Sequence, residues 1–209
     1  MAEEMMRDLA RLRELAEEGR RLPLLGGRIL ILWGAVIAAA ALLQGAVLAG
    51  WLDWPPISFA LIWFGLTGAA ALLSRRFVGR GRGAGYDLAN RIERAVWRTG
   101  GTFLGTLAIA IFVTATLRMQ AGQGGDFYRM FAMLPPVMFG VYALALRTAA
   151  VASAQRMLEP YIWLSLLFAL LSVVLGWTIW QFPVTALGVL IVSVVPGITL
   201  VRIEAGGRG

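Results

Sequence analysis

The chain has 209 residues, of which 59% are hydrophobic and 15% charged, with a formal net charge of +7. A soluble domain is nearer half apolar and a quarter charged. This much apolar surface cannot be hidden inside so small a sphere, and a disordered chain is excluded by the same figures, so the composition specifies an integral membrane protein.

The missing residue types narrow the chemistry. There is no Cys, hence no disulfide, thiol nucleophile or Cys-ligated metal. There is no His, the commonest metal and haem ligand and the usual general base. All 19 basic residues are Arg.

Residues 3–22 are polar and helix-prone, with Met5, Leu9, Leu12, Leu15 and Ala16 recurring at three- and four-residue steps. This spacing predicts an amphipathic helix, supported by Arg13/Glu17 and Glu17/Arg21 pairs one turn apart. Pro23 and Gly26-Gly27 break it before the membrane.

Six apolar stretches follow, each near the roughly 20 residues of helix that cross a bilayer core. They are predicted at about 29–50, 56–73, 99–117, 130–146, 161–180 and 182–201. Pro55-Pro56 suits a helix start. Pro135-Pro136 either kinks the fourth span or marks a later start for it. Short turns group the spans into three hairpins: 1–2, 3–4 and 5–6. Trp51, Trp54, Trp177 and Trp180 flank the outer loops as headgroup-level belt residues.

Charge tests this map independently. With the N-terminus in the cytoplasm, 17 of the 19 Arg fall on the inner side, and only Arg118 and Arg129 fall outside. Removing one span would put Arg147 and Arg156 on the wrong side, so six spans with both ends inside fit the positive-inside rule. The same asymmetry explains the sequence pI near 11.1 as orientation rather than affinity for nucleic acid. The domain plan is a cytoplasmic amphipathic helix with the approach to the membrane (1–28), a six-helix transmembrane domain (29–201) and a cytoplasmic tail (202–209). The expected location is a cell membrane, by its character a bacterial inner membrane.

The longest inner loop, 74–98, carries Arg75, Arg76, Arg80 and Arg82 among glycines. Gly79-x-Gly81-x-x-Ala84 matches a variant of the dinucleotide fingerprint on paper. That fingerprint needs a preceding β-strand, and here a transmembrane helix precedes it. The four arginines are instead candidate contacts for anionic lipid headgroups. Beyond them, Asp87 is expected to cap a short interfacial helix with Leu88, Ile92, Ala95 and Val96 on one face and Trp97 anchoring its end.

Within the spans no Asp, Glu, Lys or Arg lies near a midplane, which disfavours a proton-coupled transporter. Gln44 and Tyr142 are the most polar mid-span residues and are expected to hydrogen-bond between helices. Small residues form stripes that let membrane helices approach closely: Gly34, Ala38, Ala41 and Gly45 in the first span, Gly101 and Gly105 in the third, and Ser165, Ala169, Ser172 and Gly176 in the fifth. Gly65, Gly68 and Ala69 serve the second. These faces fit either packing within the chain or association with another subunit.

No catalytic constellation, metal site or cofactor site is legible. The expectation is therefore an all-α polytopic six-helix bundle that is not an enzyme: a non-catalytic membrane subunit or regulatory scaffold acting through helix packing and a basic cytoplasmic face. Its partners would be the lipid bilayer, anionic lipids, and another membrane subunit or a second copy, with no nucleic acid. The alternatives are a transporter or channel for a small uncharged or lipid-like solute, and a membrane sensor whose N-terminal helix engages a cytoplasmic partner.

Overall fold

The computed structural model describes residues 6–8, 10, 27–55, 57–78, 88–122, 130–153, 155–176 and 178–206. Every regular element among them is helical. They are α1 (Gly27–Leu48), α2 (Ser58–Val78), α3 (Leu88–Gln120), α4 (Leu134–Ser153) and α5 (Glu159–Val174), the last entered through a 3-10 turn at Arg156–Leu158. The chain continues through α6 (Gln181–Val189), a π-helical turn (Leu190–Val194) and α7 (Val195–Gly206), which together make one rod. Six helical stretches among the described residues are long and apolar enough to cross a membrane. The protein is an all-helical, multi-pass membrane bundle.

The helix ends follow from local chemistry. α1 stops where Gly50 takes φ +73°, a conformation costly for any residue with a Cβ. The Trp51 N–H then returns to the Ala46 carbonyl at 2.9 Å, and the Gly50 N–H donates to Val47 at 3.1 Å, which satisfies carbonyls that the last turn would leave bare. Gly122, at φ +71°, closes α3 in the same way. Pro135 and Pro136 sit in the first turn of α4, where a missing N–H costs nothing. They therefore start the fourth span rather than kink it.

Neighbouring helices run antiparallel, as their contacts show. Trp33 near the start of α1 reaches Ser74 near the end of α2. Gly27 meets Gly197, and Gly45 meets Phe182, along the full length of α1 and the α6–α7 rod. Trp97 packs edge-on against Tyr142, joining α3 to α4. Arg147 pairs with Glu159 between the end of α4 and the start of α5. The helices follow one another around the bundle as α2, α1, α6–α7, α5, α4 and α3.

The core lies between α1, α4, α5 and the α6–α7 rod. Phe139, Val189 and Val192 are fully enclosed, with Leu30, Tyr142, Phe168 and Leu200 around them. Phe139 and Phe168 stack at 5.6 Å between centroids. Gly188 makes that stack fit, because a Cβ there would lie 2.6 Å from Phe139 and 2.7 Å from Phe168. Burial falls steeply toward the rim. Half of the sixth span is buried inside the bundle, against 11% of the third. α3 thus presents most of its surface outward, where its apolar side chains suit a lipid environment.

Several boundaries differ from expectation. The basic loop is shorter than 74–98, because α2 runs on to Val78 and α3 begins at Leu88. The interfacial helix expected before the third span is not a separate element: Leu88–Gln120 is one continuous 33-residue helix. Its Gly100-Gly101 pair lies inside the helix. Gly100 sits where a Cβ would come within 2.6 Å of Val141, so here glycine permits close contact with α4 rather than ending the helix. Trp97 does not anchor a helix end; it is half-buried against the core. The fourth span continues to Ser153, beyond the expected 146. The fifth helix ends at Val174, before Gly176, and not at residue 180. Of the N-terminal amphipathic helix only residues 6–8 and 10 are described, and they are helical and exposed.

Candidate functional site

Three polar arrangements stand out between the helices of the bundle. The first lies at the bundle centre. Ser193, inside the π-helical turn and fully buried, donates its hydroxyl to the Leu30 carbonyl at 2.8 Å. The Tyr142 hydroxyl lies beside Ser193. This bond ties the α6–α7 rod to α1, with Tyr142 of α4 buried alongside.

The π-turn that holds Ser193 has a local cause. Pro196 lacks an N–H, so the helical bond to Val192 cannot form. One residue earlier, the Val195 N–H reaches back five residues to Leu190. Such π-turns within helices recur at functional positions.

The second arrangement sits at the end of the bundle where α6 starts. Gln181 is buried, and its amide donates to the Ala132 carbonyl at 2.6 Å and the Ser172 carbonyl at 3.0 Å. Thr185 in turn donates to the Gln181 carbonyl at 2.7 Å. This stitches α6 to α5 and to the segment before α4. Nearby along α5, the Ser165 and Ser172 hydroxyls are buried and have no hydrogen-bond partner among the described residues.

The third ties α1 to α2 through two indoles. Trp63 donates to the Gln44 side chain at 2.6 Å, and Trp33 donates to Ser74 at 3.0 Å. The interhelical hydrogen bond expected for Gln44 is present, whereas Tyr142 is buried in edge-on contact with Trp97 of α3. Gln181, Ser193 and the two tryptophans were not singled out by sequence. A polar residue one or two turns inside an apolar span is the signal that could have found Gln181 and Ser193.

The small-residue stripes divide into two groups. Gly34, Ala38, Ala41 and Gly45 are buried, and Gly34 and Gly45 face the α6–α7 rod: a Cβ on Gly34 would lie 2.7 Å from Val194, and one on Gly45 would lie 2.9 Å from Phe182. Ser165 and Ser172 are buried and Ala169 is half-buried on the packed face of α5, whereas Gly176 lies in the turn after that helix. These positions serve packing within the chain. Gly101 and Gly105 do not. Both are exposed, with nothing within 4 Å of an added Cβ among the described residues, and the same holds for Gly65 and Gly68 on α2.

Arg75 and Arg76 are exposed in the last turn of α2, while Arg80 and Arg82 lie outside the described residues. Antiparallel packing brings Arg28, Arg75, Arg76, Arg98, Arg147, Arg156 and Arg202 to one end of the bundle, and Arg118 to the other. Among the described residues no group of three or more His, Cys, Asp or Glu could hold a metal ion. Comparison with protein-family models, with curated proteins and with solved structures finds no match to this chain.

Proposed function

We propose that this chain is a non-catalytic subunit or scaffold of a membrane assembly, with both termini in the cytoplasm. It works through its lipid-facing surface and arginine-rich end rather than through an internal site. One observation carries the reading: the centre of the bundle is filled. Phe139, Leu146, Val189, Val192 and Leu200 are enclosed where a solute path would run, and the buried Gln44, Gln181 and Ser193 are committed to bonds between helices. With the interior closed, the available surfaces are the outward faces of α2 and α3 and the arginine-rich end. The one-sided arginines support the orientation through the positive-inside rule.

Chemical cross-linking in native membranes followed by purification in mild detergent tests the proposal. A stoichiometric second membrane component is the expected result. A reproducibly monomeric, partner-free protein would contradict it.

A second reading, a carrier for a small uncharged or lipid-like solute, is favoured by one feature. The buried, unpartnered hydroxyls of Ser165 and Ser172 on α5 could meet a polar solute if the helices separated. Solute-dependent flux in proteoliposomes, lost in Ser165→Ala, would support that reading over the first.

A further inference from the structure

We propose that the seam between α2 and α3 is a binding site for one anionic phospholipid, with its phosphate at the arginine-rich end and an acyl chain lying along exposed glycines. The two helices meet in an edge-on contact between Phe64 and Phe112, 6.2 Å between centroids. Helical spacing then dictates what lies beneath that contact. On α2, Gly68, Ala71 and Arg75 follow Phe64 at steps of four, seven and eleven residues, which return to the same face. On α3, Gly105, Gly101 and Arg98 precede Phe112 by seven, eleven and fourteen residues, again on one face. Each helix therefore presents the same series toward the seam: an aromatic ring, small residues, then a guanidinium.

The small residues leave real space. Among the described residues, an added Cβ at Gly68, Gly101 or Gly105 would meet nothing within 4 Å. Behind the seam, Trp63 and Trp97 pack against the core, so the bundle interior is closed off from it. From Phe64 to Arg75 the face runs about 16 Å at 1.5 Å per residue. One leaflet of a bilayer core is about 15 Å deep. Each face has about the length of one leaflet, with an aromatic ring at one end and a guanidinium at the other.

Charge complementarity selects the occupant. Arg75 and Arg98 are exposed and make no ion pair among the described residues. Guanidinium groups are well matched to phosphate oxygens. A zwitterionic lipid carries its own ammonium beside the phosphate and would gain less from two arginines. The proposal needs only the membrane reading; the subunit reading can fail without affecting it.

The test is lipid retention by the full-length chain in mild detergent. The probes are phosphatidylglycerol and phosphatidylcholine of identical acyl chains, and bound adducts are counted by native mass spectrometry. The expected result is one tightly retained phosphatidylglycerol per chain. Its preference over phosphatidylcholine should fall about thirtyfold in Arg75→Gln/Arg98→Gln, given the usual strength of arginine–anionic lipid attraction. Gly101→Leu/Gly105→Leu, which adds side chains where a Cβ meets nothing within 4 Å among the described residues, should abolish retention while leaving thermal stability unchanged or higher. Equal retention of both lipids, or unaltered retention in the double leucine variant, would overturn the proposal. So would efficient disulfide dimerisation of a Gly105→Cys variant in native membranes, since a second copy would then occupy the seam.

Discussion

The two classes of glycine should respond oppositely to the same substitution, and Gly197 against Gly101 makes the sharpest comparison. A Cβ at Gly197 would stand 2.8 Å from the Gly27 carbonyl oxygen, 2.9 Å from Ile31 Cγ1 and 3.1 Å from the Ile31 nitrogen. Two of these obstacles are backbone, which cannot rotate aside, so α1 and α7 must separate by about half an ångström to restore ordinary contact. Overpacking of this kind costs about 1–3 kcal/mol, and the better helix propensity of alanine returns up to about 1 kcal/mol. The separation also strains the adjacent bond from Ser193 to Leu30, 2.8 Å in the native bundle. Gly197→Ala should therefore lose about 1–2 kcal/mol net, a fall in Tm of roughly 2–8 °C for a chain of this size. Gly101→Ala meets open space and should leave Tm unchanged or raise it by a few degrees. Thermal unfolding in detergent, followed by intrinsic fluorescence of the eight tryptophans, reads both. If the two substitutions shift Tm alike, the division of the glycines into packed and open faces is wrong.

Other consequences follow from the same contacts. Ser193→Ala should cost about 1 kcal/mol because it removes the buried bond to the Leu30 carbonyl; an unchanged Tm would contradict a role for that bond in holding α1 to the α6–α7 rod. Gly188→Ala should lower Tm by several degrees by driving into Phe139 and Phe168, and Phe168→Leu in the same chain should relieve part of the effect. Glu159→Gln, which removes the exposed partner of Arg147, should change Tm by less than about 2 °C. A larger shift would mean that this ion pair holds α4 to α5.

The crossings were legible in the sequence because bilayer thickness imposes a length on every apolar run, and because arginine is costly to move across. Pro135-Pro136 was legible as a helix start or a kink, and the first-turn position decides it. What was not legible depends on tertiary contact. Locally, 87–117 reads as an interfacial helix followed by a separate span, yet Leu88–Gln120 is one helix, with Gly100 inside it lying against Val141 of α4. Small residues on α1 and α3 look equivalent as text. Only the fold distinguishes Gly34, pressed on Val194, from Gly105, which faces open space. The π-turn around Ser193 has a sequence trace in Pro196, but a proline within a span predicts a kink as readily as an extra residue in the turn. The seam between α2 and α3 could be assembled from sequence only after the Phe64–Phe112 contact gave the two faces a common register.

An antiparallel six-helix membrane bundle gathers most of the described arginines at one end, and the absence of native cysteine makes this directly measurable. Single cysteines would replace exposed Arg76, Arg156 and Arg202 at the arginine-rich end, and exposed Ile57, Gln120 and Thr178 at the other. Each would be labelled with a membrane-impermeant maleimide in sealed vesicles of known orientation. The account predicts that the first three react only from the cytoplasmic side and the last three only from the opposite side. Reaction of any one of them from the wrong side would contradict it.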